Sequence, residues 1–156
     1  MIAALPPSVV PTPIGVGGHY QPAPATHAVP GLLCTRGGTR YGVHIELFAN
    51  RRVVLVPAGI GMRSSCSYPL RTRTPEGVVQ VRRGTRLTLG HFFTLWGRPL
   101  TRTRLASFRG RVLAFVDGRP WRGDPRAIPL RRHAEIVLEV GGYIPPHPSY
   151  RFRDGL

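Results

Sequence analysis

From Gly31 onward the chain reads as short runs of β-branched and aromatic residues broken by turn residues. Tyr41–Phe48 and Arg52–Pro57 flank Asn50, which suits a hairpin. Ser67–Thr74 and Val78–Arg82 flank Pro75-Glu76-Gly77, where Pro presets the first corner and Gly takes a positive φ. Arg111–Val116 and Arg119–Trp121 flank Asp117-Gly118, the strongest short hairpin signal in the chain. In a last strand, His133–Val140, alternation sends Ala134, Ile136, Leu138 and Val140 to one face and His133, Glu135, Val137 and Glu139 to the other. The period changes only at Leu89–Trp96, where Thr88 is the N-cap and Gly97 the stop of a short helix. Phe92, Phe93 and Trp96 then form a core plug. Seven or eight strands (our count) and 19 glycines predict an all-β fold, an antiparallel β-sandwich or small barrel with one short helix near 89–96.

Composition adds boundaries. Residues 1–30 hold seven prolines and no charged side chain, so they are expected to form an extended proline-rich arm, with 31–156 as one β domain. No apolar run is long enough to span a membrane. The opening residues lack a basic start, which predicts a cytoplasmic chain unless its start lies upstream. A net charge of +15 invites nucleic acid, yet all 22 basic residues are Arg and are spread from Arg36 to Arg153. Absence of Lys fits a GC-rich genome better than a phosphate-binding surface, which mixes the two cations. Cys34 and Cys66 fit no zinc or C-x-x-C template; two buried thiols are expected, with a disulfide the alternative. His19, His27 and His147 fall in proline-rich arms and are assigned no role, whereas Trp121 is a candidate cleft residue.

No phosphate-binding loop, dinucleotide fingerprint, nucleophile elbow or H-E-x-x-H occurs. Chemistry concentrates instead in the 66–82 hairpin. A four-residue loop sets Arg73 opposite Gln80 and Arg71 opposite Arg82, all on one face; a three-residue loop puts the two pairs on opposite faces.

The body of the chain resembles a family of small bacterial proteins, often exported or membrane-anchored and of unassigned function. The resemblance is carried by Pro57-Ala58-Gly59-Ile60-Gly61, Cys66 with Tyr68 and Leu70, and Leu87-Thr88-Leu89-Gly90. Phe92-Phe93, Trp96-Gly97, Asp117-Gly118, Gly123-Asp124-Pro125-Arg126 and Ile128-Pro129-Leu130 with His133 extend it over roughly residues 40–156. Where the family pattern has histidines and a nearby carboxylate on paired strands, resembling a metal site, this chain has Gly42 before His44, then Arg71, Arg73 and Gln80 for histidines and Arg82 for the glutamate. The resemblance thus implies a degenerated metal site, with only His44 and His133 left, no metal and no cofactor.

Arginine suits carboxylate, sulfate or phosphate. The leading expectation is a binding or accessory protein for a small anionic or polar ligand, using Arg71, Arg73, Gln80 and Arg82 with Glu46 and Glu135 as neighbouring acids. The alternatives are a metal-independent enzyme of cyclase or isomerase type with His44 or His133 as acid/base, a nucleic-acid-binding domain, and a merely solvated arginine face. Oligomeric state is not legible.

Overall fold

The structure is a computed structural model that describes residues 29–156; most of the proline-rich arm, with His19 and His27, lies outside them. Ten strands and one helix follow in order: β1 (Arg40–Ala49), β2 (Arg52–Val54), β3 (Leu70–Arg71), β4 (Val78–Arg82), α1 (Leu89–Trp96), β5 (Leu100–Thr101), β6 (Arg104–Leu105), β7 (Phe108–Arg109), β8 (Val112–Val116), β9 (Arg119–Trp121) and β10 (Glu135–Val140). The main sheet runs β3-β4-β1-β10-β8-β9, with β2 also on β1; β5, β6 and β7 form a small second sheet. The fold is therefore all-β with one short helix, and the sheet does not close into a barrel. Its centre departs from the antiparallel expectation: β1 and β10 run parallel, His44 beside Glu135, while the other pairings are antiparallel.

Turn chemistry sets the hairpins. Asn50 and Arg51 both take positive φ between β1 and β2, as do Asp117 and Gly118 between β8 and β9, the geometry that matches strand twist. Thr88 caps α1, its backbone N–H donated to His91 Nδ1, and Gly97 ends the helix in the left-handed region. One sheet face carries Val43, Ile45, Leu47, Val79, Val81, Ile136 and Leu138 into the same core as Leu89, Phe92, Phe93, Leu95 and Trp96 of α1. Each such side chain contributes about 2 kcal/mol of burial. Val29 already belongs to this core, two residues ahead of the expected start of the domain at Gly31.

Three expectations are corrected. Cys34 and Cys66 are joined in a disulfide with Cα atoms 5.4 Å apart, rather than being two buried thiols. The neighbouring Thr35–Ser67 bridge brings the two backbones together there. His133 is not a strand residue: it sits at φ 63° in the turn before β10. Finally, Arg71 lies opposite Gln80, not Arg82. Thr72 explains the last. Its N–H and C=O pair with Ile60 and Gly59, and its hydroxyl donates to the Pro57 carbonyl at 2.7 Å, which draws the chain off β4 toward the 57–61 turn. A shift of two residues keeps the face, so Arg71, Gln80 and Arg82 still share one side.

Candidate functional site

The second face of the main sheet is polar along β1 as far as Glu46, and beyond it carries a small apolar cluster of Phe48, Val137 and Phe115 under Ile144. Along β1 the alternate positions are Arg40, Gly42, His44 and Glu46, flanked by Arg82, Gln80 and Val78 on β4 and by Glu135, Val137 and Glu139 on β10. The residues after β10 run across this face in the opposite direction. Ile144 N–H donates to Glu139 Oε1, His147 meets Glu46, Tyr150 stacks on His44 and Phe152 stacks on His133. We call residues 143–156 the strap.

At one end of β1 lies a row of guanidinium groups. Arg40 is buried and donates to the carbonyls of Tyr68 and Gln80. Arg71 donates to Gln80 Oε1 at 2.9 Å and to Ser67 Oγ at 3.0 Å. Arg82 reaches the Gly37 and Ser67 carbonyls at 3.4 and 3.5 Å. All these acceptors are neutral. Burial, then Arg71 and Arg82, push Arg40 down to about 10; burial, then Arg73 and Arg82, also lower Arg71. Arg73 stands past the end of β3, exposed, on the rim of a cavity of about 190 Å³. Gln80, Glu76, Tyr150, Phe152 and Arg153 share that rim with Thr74, Val78 and Leu156, and Arg153 approaches Glu76 at 4.0 Å. Because Arg71 occupies the oxygen of Gln80, the amide can offer the cavity its N–H groups.

At the other end lie the acids. His44 Nδ1 is 2.8 Å from Glu135 Oε2 and 3.7 Å from Glu46 Oε1, while His44 Nε2 is 2.9 Å from the Glu76 carbonyl. A carbonyl only accepts, so Nε2 carries the proton and Nδ1 accepts one from Glu135. The environment agrees. Burial holds His44 down to about 4, against the opposite pull of Glu46. Burial, then the charge of Glu46, pushes Glu135 up to about 10. A neutral imidazole thus faces a neutral carboxylic acid, both buried. Glu135 is fully buried and its Oε1 has no partner among the described residues. His147 Nδ1 grips both oxygens of Glu46, at 2.8 and 2.9 Å.

The eight residues read from sequence therefore divide. Arg71, Gln80, Arg82 and Arg73 gather at the guanidinium end, whereas Glu46 and Glu135 bind His44 instead of offsetting the arginines. His133 joins neither group: its Nε2 lies 2.6 Å from the Leu156 carbonyl and its ring is under Phe152. Trp121 lines a separate cleft of about 570 Å³ with Arg102, Arg111 and Arg122. Arg40, His147, Tyr150 and Phe152 were missed. Arg40 had a signal, since alternation from His44 places it on the polar face; His147 was set aside as an arm residue, and the strap had no periodicity to read. Comparison with known proteins gives no matching family model, curated protein or solved structure.

Proposed function

We propose that this protein binds a small acidic ligand, a carboxylate or phosphate, beside the guanidinium row, and that it works in an oxidising compartment. The observation that carries the first reading is the charge imbalance. Arg40, Arg71 and Arg82 crowd one sheet face with neutral acceptors alone, and Arg73 extends the row to a cavity able to hold an anion. Like charges held together at partly buried positions raise the folded state's energy, and a bound anion relieves this. Gln80 and Arg73 are the groups that touch the ligand; Arg71 orients Gln80. The Cys34–Cys66 bond supports the second reading, because disulfides persist where thiols are not kept reduced. Among the described residues no helix is long and apolar enough to cross a membrane.

The test is a thermal-shift panel of small carboxylates and phosphates at constant ionic strength, on the wild type and Arg73→Ala. A ligand at a hundred times its Kd stabilises by about 2.7 kcal/mol. The wild type should show such a shift and Arg73→Ala should lose it. No shift with any small anion, together with salt-dependent binding of an oligonucleotide, would replace this reading with a nucleic-acid surface.

A further inference from the structure

We propose that His44, Glu46 and Glu135 form a binding site for a divalent cation of the zinc class, with His147 positioning Glu46 from outside. This site is separate from the anion cavity and does not depend on it. The sheet builds it: parallel pairing sets His44 beside Glu135, and Glu46 follows two residues later on the same face. One donor atom from each of the three lies within 4.8 Å of the others. The two separations from His44 Nδ1, 2.8 Å to Glu135 and 3.7 Å to Glu46, bracket the ~3.3 Å between ligands around tetrahedral Zn²⁺ with bonds of about 2.0–2.1 Å.

Three further features fit a cation. Glu135 is fully buried, yet its Oε1 has no partner among the described residues; an unsatisfied buried oxygen is costly, and a cation provides what it lacks. His44 Nε2–H donates to the Glu76 carbonyl, the outer contact that fixes a metal-binding imidazole in the tautomer with Nδ1 unprotonated. Uptake of the ion displaces the Glu135 proton, and the two carboxylates then neutralise its charge. Imidazole with carboxylate selects Zn²⁺, Co²⁺ or Fe²⁺ over Ca²⁺ and Mg²⁺, which take oxygen alone. Three protein ligands leave a fourth position for water. His147 belongs to the strap, so a bound ion would also clamp residues 143–156 onto the sheet.

The full chain, stripped with chelator, is titrated with Zn²⁺ and with Co²⁺. Calorimetry follows uptake, and the visible d–d bands of Co²⁺ report imidazole and carboxylate donors. We expect one ion per chain. Glu135→Gln and Glu46→Gln should each weaken it at least a hundredfold, and His147→Ala by roughly ten- to a hundredfold. Zn²⁺ should also slow tryptic cutting at Arg151 and Arg153. If Glu135→Gln fails to fold, Glu46→Gln and the wild-type Co²⁺ spectrum still decide the matter. No uptake, uptake unchanged in the variants, or a preference for Ca²⁺ would overturn the proposal. Anion binding, read separately through Arg73→Ala, is untouched by any of these results.

Discussion

Glu135→Gln should remove most of the alkaline loss of stability of the metal-free protein. The argument is a proton count on the His44–Glu135 pair. Unfolded, the histidine titrates at 6.5 and the glutamate at 4.5; folded, at about 4 and about 10. His44, lowered, contributes stability that is present above pH 6.5 and lost as pH falls toward 4. Glu135, raised, contributes stability that is present below pH 4.5 and lost as pH rises toward 10. Between 4.5 and 6.5 the two slopes cancel, because each state holds one proton. Above 6.5 the unfolded pair holds none and the folded pair still holds one, so stability falls by about 1.4 kcal/mol per pH unit. From pH 7 to 9 the loss is about 3 kcal/mol, or roughly 6–12 °C in Tm for a chain of this size. Gln keeps an N–H for His44 Nδ1 but binds no proton. Thermal unfolding by circular dichroism with chelator present, at pH 5.5, 7, 8 and 9, reads the difference. The wild type should be level below 6.5 and fall thereafter, and Glu135→Gln should fall less steeply, keeping the part that comes from the raised carboxyl of Glu139. Parallel declines in the two proteins would refute the pairing of a neutral acid with a neutral imidazole.

Reducing Cys34–Cys66, which are 32 residues apart, should cost about 4 kcal/mol through the freedom returned to the unfolded chain; denaturant unfolding with and without a reductant measures it. Gly42→Ala places a Cβ 2.5 Å from the Phe152 ring. The expected result is a strap lifted from the sheet at a cost of about 1–3 kcal/mol, seen as faster tryptic cutting at Arg151 and Arg153. Thr72→Val strands the Ile60 N–H and the Pro57 carbonyl, both bonded to its buried hydroxyl. A loss of about 2–3 kcal/mol in chemical denaturation is expected, with a smaller loss for Thr72→Ser.

What could be read from the sequence was what short-range physics decides. Asn50, Asp117-Gly118 and the Thr88–Gly97 frame act within a few residues, and the helix and hairpins formed where these signals stand. The split faces of β10 were legible because alternation needs no knowledge of partners. The parallel pairing of β1 with β10 was not, since it joins residues some ninety positions apart. Two errors follow from that. Glu46 and Glu135 looked like acids for the arginines until the register set them around His44. His147 looked idle because its partner is 101 residues away. The 71–82 pairing failed for a different reason: the side chain of Thr72, rather than loop length, sets where β3 leaves β4.

The arginines and the acids occupy opposite ends of one strand, and Gly42 separates them. A side chain there would collide with Phe152, so the missing Cβ is what lets the aromatic ring seat between the guanidinium row and the His44 cluster. Tyr150 and Phe152 pack edge to face at 4.9 Å, covering His44 and His133 in turn. An apolar wedge at this place shields one charge cluster from the other. Without it Arg40 and its neighbours would pull the nearby carboxylates toward ionisation, and the neutral acid at Glu135 would be lost. The chain has seven acids against 22 arginines, yet Glu46, Glu135 and Glu139 make none of the contacts of Arg40, Arg71 and Arg82 on this face. Such a partition works against the attraction of opposite charges, so it must be held by shape: the parallel register, Gly42 and the strap. The strap therefore does more than cover a hydrophobic edge, because it keeps two sites of opposite charge on one sheet face distinct.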